Sequence, residues 1–436
     1  VRKALENYQK HLAAGRSETP FDITPLKLRL VSFSKFDRLL KQGSFSGIYD
    51  NVVIGTSKGE SLVGTDNRDL IVGLGGNDTI NGRGQDDILV GGPGNDSLQG
   101  DAGNDTMLFS GSGDGLDWLS GGAGTDSAVG TAVGTVIGVD GYSNGVEKFV
   151  GTGDTIVRDS SSAHRLDFSR TELSGIAELD AAAGNDTIVA SDLSAGRYRG
   201  GEGNDTLIAG GANATWLFAG ASSGIDLFQG NGSSAVVAVA ETAGTIIGID
   251  GYSNGVDTVQ GFSTGDTIVR DSYYGRTLDF SRTLLTNIAE VDAGSGNDTV
   301  IASDLGPGRY RGGEGNDSLT AGAAATTWLY AGASSGSDQF QGNGASSVVA
   351  LAATAGTIIG IDGYSNGVDA IQGFSTGDTI VRDSYYGRTL DFSRTLLTNI
   401  AEVDAGAGND TVIASDLGPG RYRGGEGNDT LTAGAA

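Results

Sequence analysis

Residues 55–108 read GTSKGESLV GTDNRDLIV GLGGNDTIN GRGQDDILV GGPGNDSLQ GDAGNDTML, six consecutive segments of nine residues that each begin with glycine. After the variant FSGSGDGLDWLS at 109–120, a more divergent seventh copy, GGAGTDSAV, follows at 121–129. The sixth residue of every copy is acidic and the eighth is apolar. The acidic residues are Glu60, Asp69, Asp78, Asp87, Asp96, Asp105 and Asp126, and the apolar residues are Leu62, Ile71, Ile80, Leu89, Leu98, Met107 and Ala128.

This pattern predicts a solenoid with a thin core and an ion-binding edge. Glycine-rich turns adopt backbone angles that a β-carbon forbids, so their carbonyl groups can converge. One carboxylate per turn adds negative charge, and hard oxygen ligands of this kind suit Ca²⁺, which accepts six to eight of them. The apolar residue two places later is expected to point inward and to pack on its equivalent in the next turn.

The nonapeptides resemble the calcium-binding repeats-in-toxin (RTX) family, whose signature is GGxGxDxUx. The copy at 91–99, GGPGNDSLQ, matches that signature at every fixed position. The resemblance implies a right-handed parallel β-roll with two nonapeptides per coil and Ca²⁺ between successive loops. It also implies that the position-six aspartates are side-chain ligands and that turn carbonyls complete the shell. Glu60 and Asn67 depart from the pattern, so weaker binding is expected in the first loops.

A second, longer period extends over the rest of the chain. Residues 245–324 are followed at 357–436 by a copy that differs at only four of 80 positions, and we call this period the long repeat. We divide the chain into a nonapeptide roll at 55–129, overlapping a first unit at 91–199, then units at 200–311 and 312–423, and the start of a truncated fourth unit at 424–436. Eleven short β-prone runs per unit predict two strands per coil and about 5.5 coils. Because this count is not a whole number, the alternative is that some coils hold three strands. GND segments recur at Asp186, Asp205, Asp298, Asp317, Asp410 and Asp429.

The predicted fold is therefore all-β, a right-handed parallel β-roll or β-solenoid, with a short and partly helical segment at 1–54. Leu5, Tyr8 and Leu12 have helical spacing in that segment. We interpret the segment as the remnant of a longer upstream region or a cap over the first turn, or alternatively as a basic anchor for an anionic cell-envelope glycan. The predicted Ca²⁺ ligands are Asp69, Asp78, Asp87, Asp96, Asp105, Asp126, Asp186, Asp205, Asp298, Asp317, Asp410 and Asp429.

Charge and composition exclude several functional classes. Nine of the 28 basic and four of the 54 acidic residues lie in 1–45, so 46–436 hold 19 basic and 50 acidic residues, a net charge of −31. Such a field disfavours nucleic acid and anionic lipid as partners. The chain has no cysteine, only two histidines, His11 and His164, and no apolar run of the ~20 residues that a membrane span needs. With 75 glycines and 38% hydrophobic residues, it is expected to be disordered until calcium binds.

The sequence favours a non-enzymatic, calcium-dependent extracellular protein with a structural or adhesive role. A surface-layer or sheath subunit, or the extender region of a large adhesin, would use one repeated face, and self-association into a lattice or filament is expected. The resemblance implies export through a type I secretion channel to the cell surface. The alternative is a calcium-dependent polysaccharide-active enzyme of the lyase or epimerase type, or its carbohydrate-binding tail. Recurrent arginines and tyrosines, such as Arg270, Tyr273 and Arg276, would then bind glycan rather than pair with neighbouring carboxylates.

Overall fold

The computed structural model describes residues 49–143, 145–220, 224–232, 235–253, 255–263, 265–272, 274–332, 336–344, 347–365 and 367–435. The predicted helix near the N-terminus lies outside these residues. Within them, 43 strands form parallel β-solenoid coils, about 17 turns in all, and there is no α-helix. The predicted all-β parallel solenoid is thus confirmed. None of the described residues belongs to a helix long and apolar enough to cross a membrane.

Strands are numbered β1 to β43 in chain order. Strands β1 to β9 are Asn51–Ile54, Ser61–Val63, Asp69–Val72, Thr79–Gly84, Ile88–Val90, Ser97–Ala102, Thr106–Phe109, Trp118–Ala123 and Ser127–Gly130. Strands β10 to β22 are Val136–Gly138, Tyr142–Ser143, Lys148–Arg158, Arg165–Asp167, Glu172–Asp180, Thr187–Val189, Gly196–Arg199, Thr206–Ile208, Ala214–Phe218, Leu227–Gln229, Val236–Ala240, Ile246–Ile249 and Tyr252–Ser253. Strands β23 to β35 are Thr258–Gln260, Thr267–Asp271, Thr277–Asp279, Leu284–Thr286, Ile288–Asp292, Thr299–Ile301, Gly308–Arg311, Ser318–Thr320, Thr326–Tyr330, Gln339–Gln341, Val348–Ala352, Ile358–Ile361 and Tyr364–Ser365. Strands β36 to β43 are Ala370–Gln372, Thr379–Asp383, Thr389–Asp391, Leu396–Thr398, Ile400–Asp404, Thr411–Ile413, Tyr422–Arg423 and Thr430–Thr432.

The chain divides into two compact units. Among the described residues, one unit comprises those up to residue 202 together with 207–215, and the other comprises 203–206 and those from residue 216 onward. Each is a coil of parallel strands. In the first unit β1, β3, β5, β7 and β9 pair in succession, and β2, β4, β6 and β8 form a second sheet. In the second unit β27, β29, β31, β33, β36 and β39 pair in the same way.

The nonapeptide region advances 18 residues per turn, which is two nonapeptides, as the sequence predicts. Val53 pairs with Ile71 and Ile71 with Leu89, and in the second sheet Leu62 pairs with Ile80. This register places the position-eight side chains of alternate repeats directly on one another. Ile71, Ile80, Leu89, Leu98, Met107 and Ala128 are fully buried, whereas Leu62 is half-buried. The core of each turn is therefore one or two side chains deep, and it cannot by itself bury much apolar area.

One long repeat contains five turns and thirteen strands, not the predicted 5.5 turns and eleven strands. In the second unit, β23, β26, β29, β31 and β33 each begin a turn, and β36 then repeats β23. Three of these turns carry three strands and two carry two. Turn length varies accordingly, since Val300 pairs with Leu319 whereas Thr258 pairs with Leu284. The longer turns accommodate a third strand, which is the alternative that the non-integral coil count left open.

Aromatic residues fill the wider turns. Tyr252 stacks on Phe280 with ring centroids 4.3 Å apart, and its hydroxyl lies 2.7 Å from the hydroxyl oxygen of Thr283. The same stack recurs between Tyr364 and Phe392. Trp216 and Trp328 are each only 1% exposed, so their side chains lie in the core and cannot serve as ligand platforms.

Candidate metal sites along the aspartate ladder

The position-six carboxylates form a ladder of hydrogen bonds between turns. The backbone N–H of Asp69 donates to Asp87 Oδ1 at 2.7 Å, and that of Asp87 donates to Asp105 Oδ1 at 2.8 Å. A second row runs through the other repeats, where Asp78 N–H donates to Asp96 Oδ1 at 2.7 Å. One oxygen of each carboxylate is therefore bound by an amide of the preceding turn. This arrangement holds the side chain at the turn and leaves its second oxygen for another partner.

For eight predicted ligands, that second oxygen is buried and accepts no hydrogen bond. The eight residues are Asp78, Asp87, Asp96, Asp105, Asp126, Asp298, Asp317 and Asp410. A buried ionised carboxylate that lacks a partner is costly, because it loses its hydration without replacement. Bound cations would supply the partners that this row of oxygens lacks. The donors here are all oxygens, which favours a hard ion such as Ca²⁺ over a transition metal.

Glycine at position one leaves room for these cations. A β-carbon built on Gly73 would lie 2.6 Å from the carbonyl oxygen of Gly91 and would overlap Asp78 Oδ2. A β-carbon on Gly64 would likewise meet the carbonyl oxygen of Gly82, at 2.6 Å, and Asp69 Oδ2. The carboxylate oxygen of one turn and a carbonyl oxygen of the next turn thus line one small space. Only glycine keeps that space open.

The ladder continues beyond the nonapeptide region. Asp298 N–H donates to Asp317 Oδ1 at 2.8 Å, and Asp410 N–H donates to Asp429 Oδ1 at 2.9 Å. Asp186 Oδ1 accepts the backbone N–H of His164 at 2.7 Å. Of the twelve predicted ligands, the following are at most 3% exposed: Asp69, Asp78, Asp87, Asp96, Asp105, Asp126, Asp186, Asp205, Asp298, Asp317 and Asp410. Asp429 is half-buried.

Three further aspartates belong to the ladder but were not predicted from the sequence. Asp117 Oδ1 accepts the N–H of Asp96, Asp226 Oδ1 that of Asp205, and Asp338 Oδ1 that of Asp317. All three are 1% exposed, and burial raises the pKa of each to about 8. Each follows the preceding ladder aspartate by 21 residues rather than by a multiple of nine. The sequence signal that could have identified them is an aspartate directly before a short β-prone run, as in DWL at 117–119, DLF at 226–228 and DQF at 338–340.

Burial also shifts the ladder carboxylates towards their protonated form. Loss of hydration raises the pKa of Asp87 to about 7, although the N–H of Asp69 partly opposes this shift. The neighbouring carboxylates of Asp105, Asp69 and Asp86 raise it further. The pKa of Asp96 rises to about 6 for the same main reason. A cation that binds here must displace protons, so binding of the ion and ionisation of the ladder are coupled.

The recurrent arginines pair with carboxylates one turn away. Arg270 Nε lies 3.2 Å from Asp292 Oδ2, and Arg311 Nη2 lies 3.0 Å from Glu290 Oε2. The equivalent pairs of the next repeat are Arg382 with Asp404 and Arg423 with Glu402. Pairing within the fold, the simpler of the two interpretations made from the sequence, is confirmed for these arginines. Tyr273, which was also considered as a glycan contact, lies outside the described residues.

A family model for the RTX calcium-binding nonapeptide repeat, built on four copies of the motif, matches six segments of the chain. The matched segments are residues 54–89, 82–111, 112–132, 196–213, 306–325 and 418–436. The chain carries RTX repeats. Together with the parallel β-solenoid, this match fits the RTX β-roll family. No curated protein matches the chain.

RTX nonapeptides are calcium-binding motifs, which supports Ca²⁺ as the cofactor of this chain. The matched segments contain nine of the twelve predicted ligands, but Asp186, Asp298 and Asp410 lie outside them. Asp298 and Asp410 nevertheless have the same buried carboxylate and the same bond to the next turn as the aspartates of the RTX repeats. The ladder geometry therefore extends further along the chain than the RTX sequence pattern does.

A methyl group in the small space between a position-six carboxylate and the carbonyl oxygen of the next turn should weaken calcium binding. Gly73→Ala places a β-carbon between Asp78 Oδ2 and the Gly91 carbonyl, and overpacking of this kind costs about 1–3 kcal/mol. We expect the calcium midpoint of folding, followed by circular dichroism, to rise. The matched control is Gly111→Ala, since a β-carbon there meets nothing within 4 Å. Equal effects of the two substitutions would show that this space does not explain why residue 73 is glycine.

Without calcium, the stability of the fold should decrease as pH rises. In the folded chain burial raises the pKa of Asp87 to about 7 and that of Asp117 to about 8, whereas an unfolded aspartate titrates near 3.8. The folded state therefore binds more protons between about pH 4 and pH 8, and its free energy of unfolding falls across that window. Circular dichroism of the calcium-depleted chain from about pH 4 to about pH 8, in 0.5 M NaCl, about enough salt to screen exposed charges, should show β-structure at the acid end and its loss towards neutral pH. Stability that increased with pH would contradict the prediction.

Proposed function

We propose that the chain is a calcium-folded extracellular repeat protein with a structural or adhesive role, and that the twelve predicted aspartates bind Ca²⁺, eight of them through the buried second carboxylate oxygen. The buried oxygens without hydrogen-bond donors carry this proposal. When Ca²⁺ is bound, it supplies the positive charge that these carboxylates lack. The glycine-turn carbonyls provide further oxygen ligands, and the hydrogen bonds from the preceding turn orient each aspartate.

The coarser part of this description already follows from the RTX repeats and the solenoid: the chain is a calcium-dependent repeat protein. RTX β-roll repeats are generally structural or binding modules rather than catalytic ones, and RTX repeat proteins are typically extracellular. A role as a surface-layer or sheath subunit, or as an adhesin extender, goes further. It is supported by side chains that recur at equivalent surface positions of successive long repeats. Leu193, Leu305 and Leu417 are 64%, 58% and 56% exposed.

Recurrent exposed leucines suit contact with further copies of the chain. Three equivalent apolar side chains offer the same contact repeatedly, as a lattice or filament requires. The tyrosines Tyr274 and Tyr386, which are 71% and 72% exposed, recur in the same way. By contrast, the four paired arginines have their charge engaged within the fold, so they give no support to the polysaccharide-active enzyme.

Sedimentation velocity in chelator and in millimolar calcium tests the proposal. We expect a slow, expanded monomer without calcium and large, regular species with it. The variant L193S/L305S/L417S should fold with calcium but remain monomeric, while the matched variant T56S/T131S/T152S should assemble as the wild type does. A compact monomer in calcium would refute the self-assembling role. No response to calcium would refute the calcium-dependent folding as well.

A further inference from the structure

The first copy of the long repeat contains a side-chain cluster that the later copies replace. His164 lies between two carboxylates, Asp159 and Asp140. Its Nδ1 is 2.8 Å from Asp159 Oδ2, and its Nε2 is 3.9 Å from Asp140 Oδ1. Each of the three residues offers one ligand atom, and these three atoms all lie within 4.8 Å of one another. His164 is one of two histidines in the chain, and the other, His11, lies outside the described residues.

The later copies hold an arginine at the position of His164. Arg276 Nη2 lies 2.5 Å from Asp250 Oδ1, and Arg388 Nη2 lies 2.6 Å from Asp362 Oδ1. The surrounding backbone is the same, because Gly141, Gly251 and Gly363 each donate their N–H, at 2.8 Å, to the buried aspartate of their own copy. In the later copies an arginine thus supplies a fixed positive charge beside two carboxylates. In the first copy an imidazole stands there instead.

The contacts of the imidazole define which nitrogen is available. Asp159 is 3% exposed, its Oδ1 accepts the Gly141 N–H, and its Oδ2 faces His164 Nδ1. A carboxylate in that position accepts a hydrogen bond from Nδ1–H, and in the neutral imidazole this tautomer leaves the lone pair on Nε2. A histidine that binds a metal through one nitrogen usually donates its other N–H to such a carboxylate.

The gap between Nε2 and Asp140 fits a metal ion better than a hydrogen bond. At 3.9 Å the two atoms are too far apart to share a proton directly. An ion about 2.1 Å from the nitrogen and about 2.1 Å from the oxygen would bridge that distance. The Asp140 side chain is 60% exposed and that of His164 is 26% exposed, so water can complete the coordination shell. Imidazole nitrogen selects transition metals over Ca²⁺.

We propose that His164 Nε2 and Asp140 bind a divalent transition-metal ion, with Zn²⁺ as the probe, and that Asp159 orients the imidazole. The site is distinct from the calcium ladder because it contains a nitrogen ligand. The first copy would then bind two kinds of ion, while the later copies use an internal arginine at the same place. The proposal does not depend on the surface role proposed above, since it requires only the calcium-loaded fold.

Zinc titration of the calcium-saturated chain, followed by isothermal calorimetry, tests the site. We expect the wild type to bind one more equivalent of Zn²⁺ than His164→Arg, a variant that recreates the arrangement already present at Arg276 and Arg388. Any Zn²⁺ that enters the aspartate ladder contributes equally to both chains and cancels in the difference. His11→Gln should keep the extra equivalent. The reciprocal variant Arg276→His, which places an imidazole beside Asp250, should gain another.

A spectroscopic readout separates metal binding from a structural role of the imidazole. In the chain labelled with ¹⁵N-histidine, Zn²⁺ should shift the Nε2 resonance of His164 and leave its Nδ1 protonated. Asp159→Asn, which preserves the shape of the orienting side chain but removes its charge, should weaken Zn²⁺ binding by about 10–100-fold. An unchanged Nε2 resonance, or equal Zn²⁺ binding by the wild type and His164→Arg, would overturn the proposal.

Discussion

Removal of calcium should convert the solenoid into an expanded, largely unstructured chain. The apolar core is only one or two side chains deep, residues 46–436 carry a net charge of −31, and eight predicted ligands have a buried oxygen without a donor. Calcium at 10–100 times its dissociation constant stabilises the folded state by about 1.4–2.7 kcal/mol per site. Over about ten sites this amounts to roughly 14–27 kcal/mol, which equals or exceeds the 5–15 kcal/mol of net stability that is typical of a domain. Circular dichroism and the sedimentation coefficient, measured in chelator and in 10 mM calcium, provide the readout.

Magnesium provides the control for this experiment. Mg²⁺ has the same charge but demands octahedral geometry and retains its waters, so it should screen the repulsion without restoring the fold. Native-like β-structure in chelator, or full recovery with magnesium alone, would contradict specific stabilisation by calcium. Recovery with calcium at equal ionic strength is the expected result.

Asp87→Asn should weaken calcium-dependent folding strongly while leaving the hydrogen-bond ladder in place. The amide oxygen can still accept the Asp69 N–H, at 2.7 Å in the native chain, but the second position then carries an uncharged NH₂ group. Loss of one charge from a buried ionic site costs about 3–5 kcal/mol. We expect the calcium midpoint of folding to increase and the stability in calcium to fall by roughly 3 kcal/mol. Urea unfolding in 10 mM calcium measures the change.

The matched control is Asp66→Asn. Asp66 is exposed in a neighbouring turn, and the substitution removes the same formal charge. It should change stability by less than about 0.5 kcal/mol. Equal effects of the two substitutions would show that total charge, rather than a ligand at Asp87, governs calcium dependence.

Much of the ladder could be predicted from the sequence because its period is short and its chemistry is local. Nine-residue spacing predicts two repeats per turn, and the pairing of Ile71 with Leu89 has that register. The acidic position and the apolar position differ by two residues. In a strand-and-turn unit, this places the carboxylate at the turn and the apolar side chain in the core, as Asp87 and Leu89 illustrate.

The rest of the ladder could not be predicted because its spacing depends on the length of each turn. Asp117 follows Asp96 by 21 residues, since residues 109–120 enlarge that turn, and the period of nine is lost. Asp226 and Asp338 also follow the preceding ladder aspartate by 21 residues, so the period of nine does not predict them either. Turns of different lengths can align the same side chains because loops bulge outward while the strands remain in register.

The sequence by itself determined the parallel solenoid, the calcium-binding repeats and the buried stack of position-eight residues, because each depends on a repeat that is read within nine residues. The tertiary structure alone decided which carboxylate faces which amide, how many strands each wide turn holds, and that His164 meets both Asp140 and Asp159. Most of those contacts join residues on different turns, as the bond from Asp69 to Asp87 does. Their distances follow from how successive coils stack, which no local pattern encodes.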